Sequence, residues 1–354
     1  MAFTQCVLKE NGSPLELSGF DEILENIKET IEKTDLSSRA NIAIIAEPFS
    51  GRSELLYKIS EMCQDRETKI FFNRLVNDDN FLQILKKSGN VVLVDNCQLL
   101  CSRRIGGFEK LDLFLNAIAL SNKLYITTWN KFSWDYLRFI YPLESIFPVR
   151  FELPRLVADE LKSMVMANCE WKLAFAEDAT TKKENWIESS EFPIFLKPLK
   201  KTIVVPIPKI DYLALRSRFQ AKIKSPKKED ETTIEDKIFQ RLKDASQGNP
   251  GVAKSIWKKS IPGAEDAIRP ADIHKPEHKI DMKYDQAFLL YIILCMECIS
   301  IDELKGIDPN ANVDRLVQYL ERAGLISVEN KLLSILPEAL HSIENFLKNM
   351  RLVG

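Results

Sequence analysis

The chain has 354 residues, 45% of them hydrophobic, and is long enough for about two or three domains with sizeable cores. Its net charge of −2 excludes a global attraction to nucleic acid or to an anionic membrane. The seven cysteines follow no regular spacing, which indicates free thiols in a reducing cytosol. The N-terminus lacks a signal-peptide pattern, and the longest apolar run, Ala287–Met296, is shorter than the roughly 20 residues that cross a bilayer. We therefore expect a soluble cytoplasmic protein that has no membrane partner.

The first elements of the chain predict a strand, a tight loop and a helix. Apolar residues at helical spacing predict an N-terminal helix over Leu15–Lys33, and the short apolar run Ile42–Ile45 is typical of a buried parallel strand. The run ends at a breaker-rich turn, Ala46–Gly51, and Arg52–Leu56 then begins a second helix. Loop amides and the positive end of a helix both favour an anion, so this stretch predicts a phosphate cradle.

The turn is close to the phosphate-binding pattern Gly-x-x-x-x-Gly-Lys-Ser/Thr. Its fixed positions hold Ala46, Gly51, Arg52 and Ser53, so two of the four match and Arg52 keeps the charge of a third. A planar guanidinium does not reach between two phosphates as a compact ammonium does. The pattern therefore predicts nucleotide binding with inefficient hydrolysis; the alternative is an ordinary strand–helix turn with a chance glycine.

A carboxylate follows a later apolar strand. Lys69–Phe72 is a candidate second strand, and Asn90–Asp95 is a third that ends in an acidic residue. In open α/β sheets ligands bind at the carboxyl edge, where an Asp can hold Mg²⁺. The alternative is an Asp that simply ends a strand. Asn96 comes next. Hydrolytic NTPases that have such a loop place a glutamate base at this position, and an amide cannot take a proton from the attacking water.

Two more strands complete the predicted layer. Leu124–Asn130 and Phe147–Leu153 both read as strands, and helical stretches such as Asp112–Ala119 separate them from their neighbours. Strands alternating with helices predict a doubly wound α/β layer with a parallel sheet.

The order of these motifs resembles the AAA+ and STAND ATPases, especially their origin-recognition-like branch. In this comparison Gly51–Ser53 looks like Walker A, Asp95–Asn96 like Walker B, and Asn130 like the sensor-1 residue. Phe151–Leu161 is similar to the strand and linker that lead to the lid, and Gly248–Ala253 is similar to the lid signature Gly-Asn-Pro-x-x-Ala.

The resemblance implies ATP or ADP with Mg²⁺ as the cofactor. It implies Ser53 and Asp95 at the metal, Asn96 and Asn130 at the catalytic positions, and Lys254 where a sensor-2 arginine would be sought. The candidate nucleotide-binding residues are Ala46, Glu47, Pro48, Phe49, Ser50, Gly51, Arg52, Ser53, Glu54 and Lys254. An arginine finger is missing around Ser145–Phe147, and losing a finger alone costs about 10³–10⁵ in rate.

A basic segment interrupts this pattern. Lys197 to Lys228 contains ten Lys/Arg and one acidic residue, so 10 − 1 = +9. Such a concentration of charge suits a phosphate backbone or an acidic protein surface, and the alternative is a solvated face without a partner. The prolines of Pro193–Pro208 frame a predicted hairpin, and Ser225–Thr233 reads as a loop.

The end of the chain predicts a winged helix-turn-helix. The predicted elements are a helix over Phe288–Cys298, a capped helix over Asp302–Lys305, a helix over Asn312–Ala323, a hairpin turning at Glu329–Lys331 and a helix over Pro337–Met350. From Asp281 to Gly354 the charges sum to 7 − 11 = −4, which favours contact with protein over reading of DNA. We interpret the Cys295 and Cys298 pair as core packing and not as a zinc site, because no second pair is near.

The sequence therefore predicts an α/β P-loop NTPase core with a parallel sheet and helices on both faces, a helical lid and a C-terminal winged-helix domain. The predicted bounds are 1–170 for the core, 171–238 for the basic insertion and linker, 239–265 for the lid and 281–354 for the winged helix. The predicted function is a nucleotide-binding switch with weak or absent hydrolysis that acts on a protein partner or through self-association. The alternative is a DNA-associated factor that holds phosphates through Lys197–Lys228.

Overall fold

The structure is a computed structural model, and it describes only part of the chain. The described residues are 19–33, 41–63, 67–167, 174–176, 187–196, 201–210, 233–261, 267–309 and 311–353, with backbone alone for 187–196 and 201–210. The predicted start of the first helix at Leu15 and most of the basic segment Lys197–Lys228 lie outside these residues.

A five-stranded parallel sheet forms the centre of the molecule. Its strands are β1 (Ile42–Ala46), β2 (Glu67–Phe71), β3 (Val91–Asp95), β4 (Leu124–Asn130) and β5 (Val149–Glu152). They lie in the order β2-β3-β4-β1-β5, and every neighbouring pair is parallel. All residues of β1 and β4 are buried, as expected for central strands covered on both faces. The predicted α/β fold with a parallel sheet flanked by helices is confirmed.

Helices connect these strands. They are α1 (Asp21–Lys33), α2 (Arg52–Met62), α3 (Asn80–Lys87), α4 (Glu109–Ala119), α5 (Lys131–Leu137), α6 (Leu143–Ile146) and α7 (Ala158–Ala167). A short 3₁₀ turn, Cys97–Leu100, follows β3.

The strand register sets one edge of the sheet apart. Ala46 pairs with Asn130 across β1 and β4, and Phe71 pairs with Asp95 across β2 and β3. Val94 pairs with Thr127 across β3 and β4, so the carboxyl ends of β1, β3 and β4 lie within two residues of one another. The loop after β1, the acidic end of β3 and the amide end of β4 meet at this edge.

A hairpin and a helical pair follow the core. Strands β6 (Ile187–Leu196) and β7 (Lys201–Ile210) pair antiparallel, and the predicted proline-framed hairpin lies within them. The helical pair is α8 (Ile234–Ser246) and α9 (Pro250–Ser260). Asn249 caps α9 and Pro250 occupies its first turn, where a missing N–H costs nothing.

The C-terminal module packs helices around a three-stranded sheet. Its elements are α10 (Tyr284–Met296), β8 (Cys298–Ser300), α11 (Ile301–Ile307), α12 (Val313–Arg322), β9 (Ile326–Glu329), β10 (Leu332–Ile335) and α13 (Leu340–Asn349). The sheet order is β8-β10-β9, and Asn330 and Lys331 turn the hairpin with positive φ. The predicted capping box of Ser300 and Glu303 starts α11. The C-terminal module is the name used below for α10 to α13.

From Ala287 onward, helix α10 is apolar on all sides because this part lies inside the molecule. Ala287 and every residue from Leu289 to Met296 are buried, and the helix contacts α5, β8 and β10. Among the described residues, none of the helices has both the length and the hydropathy needed to cross a bilayer.

Candidate functional site

The loop between β1 and α2 adopts a strained, glycine-dependent turn. Phe49 has φ of 65° and Gly51 has φ of 88°, both in the left-handed region. Gly51 is the N-cap of α2, and no side chain of the described residues caps this helix end. The first amides of α2 therefore keep their capacity to bind an anion.

Ser53 and Asp95 meet at the level carboxyl edge. The Ser53 hydroxyl donates to Asp95 Oδ2 at 2.6 Å, and Asp95 is 2% exposed. Asp95 Oδ1 accepts hydrogen bonds from the Asn96 N–H at 3.0 Å and from the Thr128 hydroxyl. The carboxylate thus faces the loop, as the sequence prediction of a metal-holding pair requires.

This oxygen pair fits a divalent cation only in part. Hydroxyl and carboxylate oxygens are ligands that Mg²⁺ prefers. The described residues contain no group of three or more His, Cys, Asp or Glu residues that could hold a metal by themselves. A cation at Ser53 and Asp95 would therefore take its remaining ligands from water or from the phosphates of a nucleotide.

Arg52 lies across the sheet edge and is 6% exposed. Its Nη1 donates to the carbonyl oxygens of Ala46 at 3.0 Å and Trp129 at 3.4 Å. Its Nη2 is 2.6 Å from Oε1 of Glu297, which belongs to the C-terminal module. The guanidinium that the sequence placed on phosphate is thus paired with a carboxylate 245 residues further along the chain.

Asn130 binds the same carboxylate. It is fully buried, and its Oδ1 caps α5 by accepting from the N–H groups of Phe132 and Ser133. Its Nδ2 donates to Glu297 Oε1 at 2.6 Å and to the Leu294 carbonyl at 2.9 Å. The amide that was predicted at the sensor-1 position is therefore hydrogen-bonded to two residues of the C-terminal module.

Glu297 is the site residue that sequence reasoning missed. It follows α10 directly, with φ of 61° and ψ of −34°, and its side chain is 24% exposed. A non-glycine residue with this backbone costs about 1–3 kcal/mol, so the surrounding contacts must hold it. The signal in the sequence is an acidic residue directly after the apolar run Ala287–Met296, since a charge in such a place needs a partner.

Asn96 has a structural role at this edge. It adopts the left-handed conformation, with φ of 58°, which asparagine tolerates better than most residues. Its Nδ2 donates to the Phe72 carbonyl at 3.1 Å, and its Oδ1 accepts from Gln98 at 3.3 Å. Its amide groups hold the turn after β3 and offer no base for activating water.

The turn before α9 contacts the loop before α2. Asn249 Nδ2 donates to the Pro48 carbonyl at 2.9 Å and to the Ser50 hydroxyl at 3.3 Å. The Gly251 N–H donates to the Phe49 carbonyl at 3.0 Å, and a Cβ at Gly251 would lie 2.6 Å from the Phe49 Cβ. Glycine is required at this position because the loop backbone approaches so closely.

A second set of charges links the loop to α13. Arg155 is 2.8 Å from Glu47 and 3.6 Å from Glu344. Burial raises the pKa of Glu344, but the nearby His341 ring at 3.6 Å, the hydrogen bond from Lys348 and the charges of Lys348 and Arg155 outweigh it and lower the pKa to about 2. The loop and the C-terminal module are therefore joined through Arg155 as well as through Arg52.

Two of the predicted residues lie apart from this network. Glu54 is half-buried in the first turn of α2, and Lys254 is half-buried in α9. No hydrogen bond or ion pair among the described residues brings Lys254 to Arg52 or Ser53. The other predicted residues converge on the carboxyl edge.

The chain is similar to solved structures of RuvB from Thermotoga maritima. The structure named as the Holliday junction branch migration motor is 16% identical, with 96% of this chain and 99% of that chain covered and a TM-score of 0.41. A point mutant of the same protein is 15% identical, with 94% and 95% covered and a TM-score of 0.41. No family model matches the chain, and no curated protein matches it either.

At this TM-score the likeness carries no argument about function. The strand order and the glycine turn after β1 are themselves consistent with a P-loop NTPase fold. Neither the origin-recognition-like branch nor the STAND branch is singled out.

Proposed function

We propose that this protein is an AAA+-like nucleotide-responsive switch with weak or absent hydrolysis. In this proposal ATP or ADP binds with Mg²⁺ at the loop and sets the position of the C-terminal module, which acts as a winged-helix-like domain for a protein partner or for self-association. One observation carries the proposal: Glu297 of the C-terminal module is bonded to both Arg52 and Asn130 at the predicted phosphate site.

Each residue of the edge has a defined part in this proposal. The amides at the start of α2 bind phosphate oxygens, and Ser53 with Asp95 holds the cation. The terminal phosphate of a bound triphosphate would supply negative charge that competes with Glu297 for Arg52. Weak hydrolysis follows from Asn96, whose side chain holds a turn and takes no proton.

The proposal is tested by thermal melting with and without Mg·ATP and Mg·ADP. A ligand at about 100 times its dissociation constant stabilises the folded state by about 2.7 kcal/mol, so the melting temperature should rise. Ser53→Ala should lose the magnesium-dependent part of the rise. Ser163→Ala, an exposed helical serine in α7, should keep all of it. The absence of any shift in the wild-type protein would refute nucleotide binding.

Turnover tests the second half of the proposal. Purified protein should hydrolyse ATP far more slowly than an active AAA+ motor does. A turnover number in the usual enzyme range of about 1–10³ per second would contradict the switch.

A second candidate function rests on charge alone. The net +9 of Lys197–Lys228 favours a DNA-associated factor that holds phosphates through this segment. Binding to a nonspecific duplex should then fall steeply with salt. It should disappear when the lysines of the segment are changed to glutamate. The rise in melting temperature that nucleotide produces should stay the same in this variant.

A further inference from the structure

The carboxylate of Glu297 lies where the predicted phosphate ligands converge. Its Oε1 is 2.6 Å from Nη2 of Arg52 and 2.6 Å from Nδ2 of Asn130. Both donors are buried, with Arg52 at 6% and Asn130 at 0% exposure. Hydrogen bonds to a charged acceptor at this distance are among the stronger ones in proteins.

The Glu297 carboxylate gives these two donors the negatively charged oxygen that a terminal phosphate would otherwise provide. Nη1 of Arg52 donates to the carbonyls of Ala46 and Trp129, Nη2 also reaches Asn96 Oδ1 at 3.5 Å, and Asn130 uses its other N–H on Leu294. A terminal phosphate brought to the same donors would meet a like charge at close range, which is strongly unfavourable in a desolvated site. The edge therefore disfavours a third phosphate while Glu297 stays in place.

The inner part of the cradle is free of this conflict. Glu297 bonds neither Ser53 nor Asp95, whose own contact is 2.6 Å, and α2 has no capping side chain. These groups would hold inner phosphates and a divalent cation. The two parts of the edge thus separate inner phosphates from a terminal one.

We propose that Glu297 is a specificity-determining residue that makes this site take a nucleoside diphosphate in preference to a triphosphate. The inference rests on the proposed function and names the ligand class of the same site. A triphosphate has to displace Glu297 from Arg52 and Asn130, and this displacement frees the end of α10. The positive φ of Glu297 favours this displacement, because the backbone strain at Glu297 is relieved once its carboxylate leaves Arg52 and Asn130.

Isothermal titration calorimetry with Mg·ADP and Mg·ATP tests this assignment. The wild-type protein should bind ADP at least about tenfold more tightly than ATP, the ratio that corresponds to one charge-assisted hydrogen bond. Glu297→Gln keeps the shape and removes the charge, so it should tighten ATP about tenfold and leave ADP within about twofold. Glu329→Gln, an exposed glutamate of the hairpin, should reproduce the wild-type ratio.

A second variant guards against misfolding. Glu297→Gly also removes the carboxylate and suits the positive φ, so it should show the same loss of preference while still melting in a single cooperative transition. Equal affinities in the wild type, or an unchanged ratio in both variants, would overturn the specificity and leave the switch standing. Failure of wild type and variants alike to bind either nucleotide would overturn the switch as well.

Discussion

Removal of the Glu297 carboxylate should destabilise the folded protein because it leaves the buried guanidinium of Arg52 without its ion-pair partner. Arg52 has a side chain that is 5% exposed, and without Glu297 its partners are mainly the neutral carbonyls of Ala46 and Trp129. Breaking a buried ion pair by removing one partner costs about 3–5 kcal/mol. Glu297 itself is 24% exposed, so water can enter the vacated space. We therefore expect Glu297→Ala to cost about 3 kcal/mol, at the lower end of that range.

Backbone conformation adds a second, independent expectation. With φ of 61° at position 297, alanine retains the strain that glutamate bears, whereas glycine does not. Glu297→Gly should therefore be more stable than Glu297→Ala by about 1 kcal/mol, although both lose the carboxylate.

Urea unfolding measures both differences. Circular dichroism and tryptophan fluorescence should be followed together, because coincident curves show a single transition. Glu329→Ala serves as an exposed control and should stay within about 0.5 kcal/mol of wild type. A cost below about 1 kcal/mol for Glu297→Ala, or no advantage of glycine over alanine, would refute the reasoning.

Three further predictions concern the surroundings of this edge. Gly251→Ala should lower the melting temperature by the equivalent of about 1–3 kcal/mol, because the new Cβ would lie 2.6 Å from the Phe49 Cβ and 2.8 Å from its carbonyl oxygen; a higher melting temperature would show that helix propensity dominates. The pKa of Glu344 is lowered from 4.5 to about 2, so its stabilisation is complete above pH 4.5 and is lost as the pH falls towards 2. Urea titrations between pH 5 and 2 should lose up to about 3 kcal/mol more in the wild type than in Glu344→Gln, and parallel profiles would contradict the assignment. Burial raises the pKa of Cys295 to about 11, so a thiol reagent at pH 8 should modify the half-buried Cys63 well before Cys295 in the folded protein; equal rates in mass-spectrometric mapping would oppose this.

The sheet could be predicted from local sequence because each strand carries its own signal. Ile42–Ile45 was predicted and Ile42–Ala46 observed, and the carboxylate at the end of Val91–Asp95 lies at the edge where the sequence placed it. Continuous apolar runs are specific for strands covered on both faces. Helix α3 (Asn80–Lys87) was not predicted, although its apolar residues lie on one face. The short helix predicted over Asp302–Lys305 extends over Ile301–Ile307.

The site could be predicted only as far as neighbouring residues define it. The loop, Ser53 and Asp95 belong to recognisable patterns, and the structure brings them together. The partner of Arg52 could not be predicted, since Glu297 is 245 residues away and no local pattern links them. The only recognisable pattern around Glu297 is the pair of cysteines, Cys295 and Cys298, and it does not indicate a role for the glutamate. Tertiary packing, and not local propensity, decides which residue meets the guanidinium.

The contacts between the turn before α9 and the loop before α2 have a kinetic consequence. Because Pro48, Phe49 and Ser50 are each bonded to Asn249 or Gly251, the loop cannot rearrange around an incoming molecule until those bonds open. Association would then be limited by a first-order opening step. The observed association rate should level off as the ligand concentration increases. The plateau equals the rate constant for breaking the hydrogen bonds between the loop and the turn before α9.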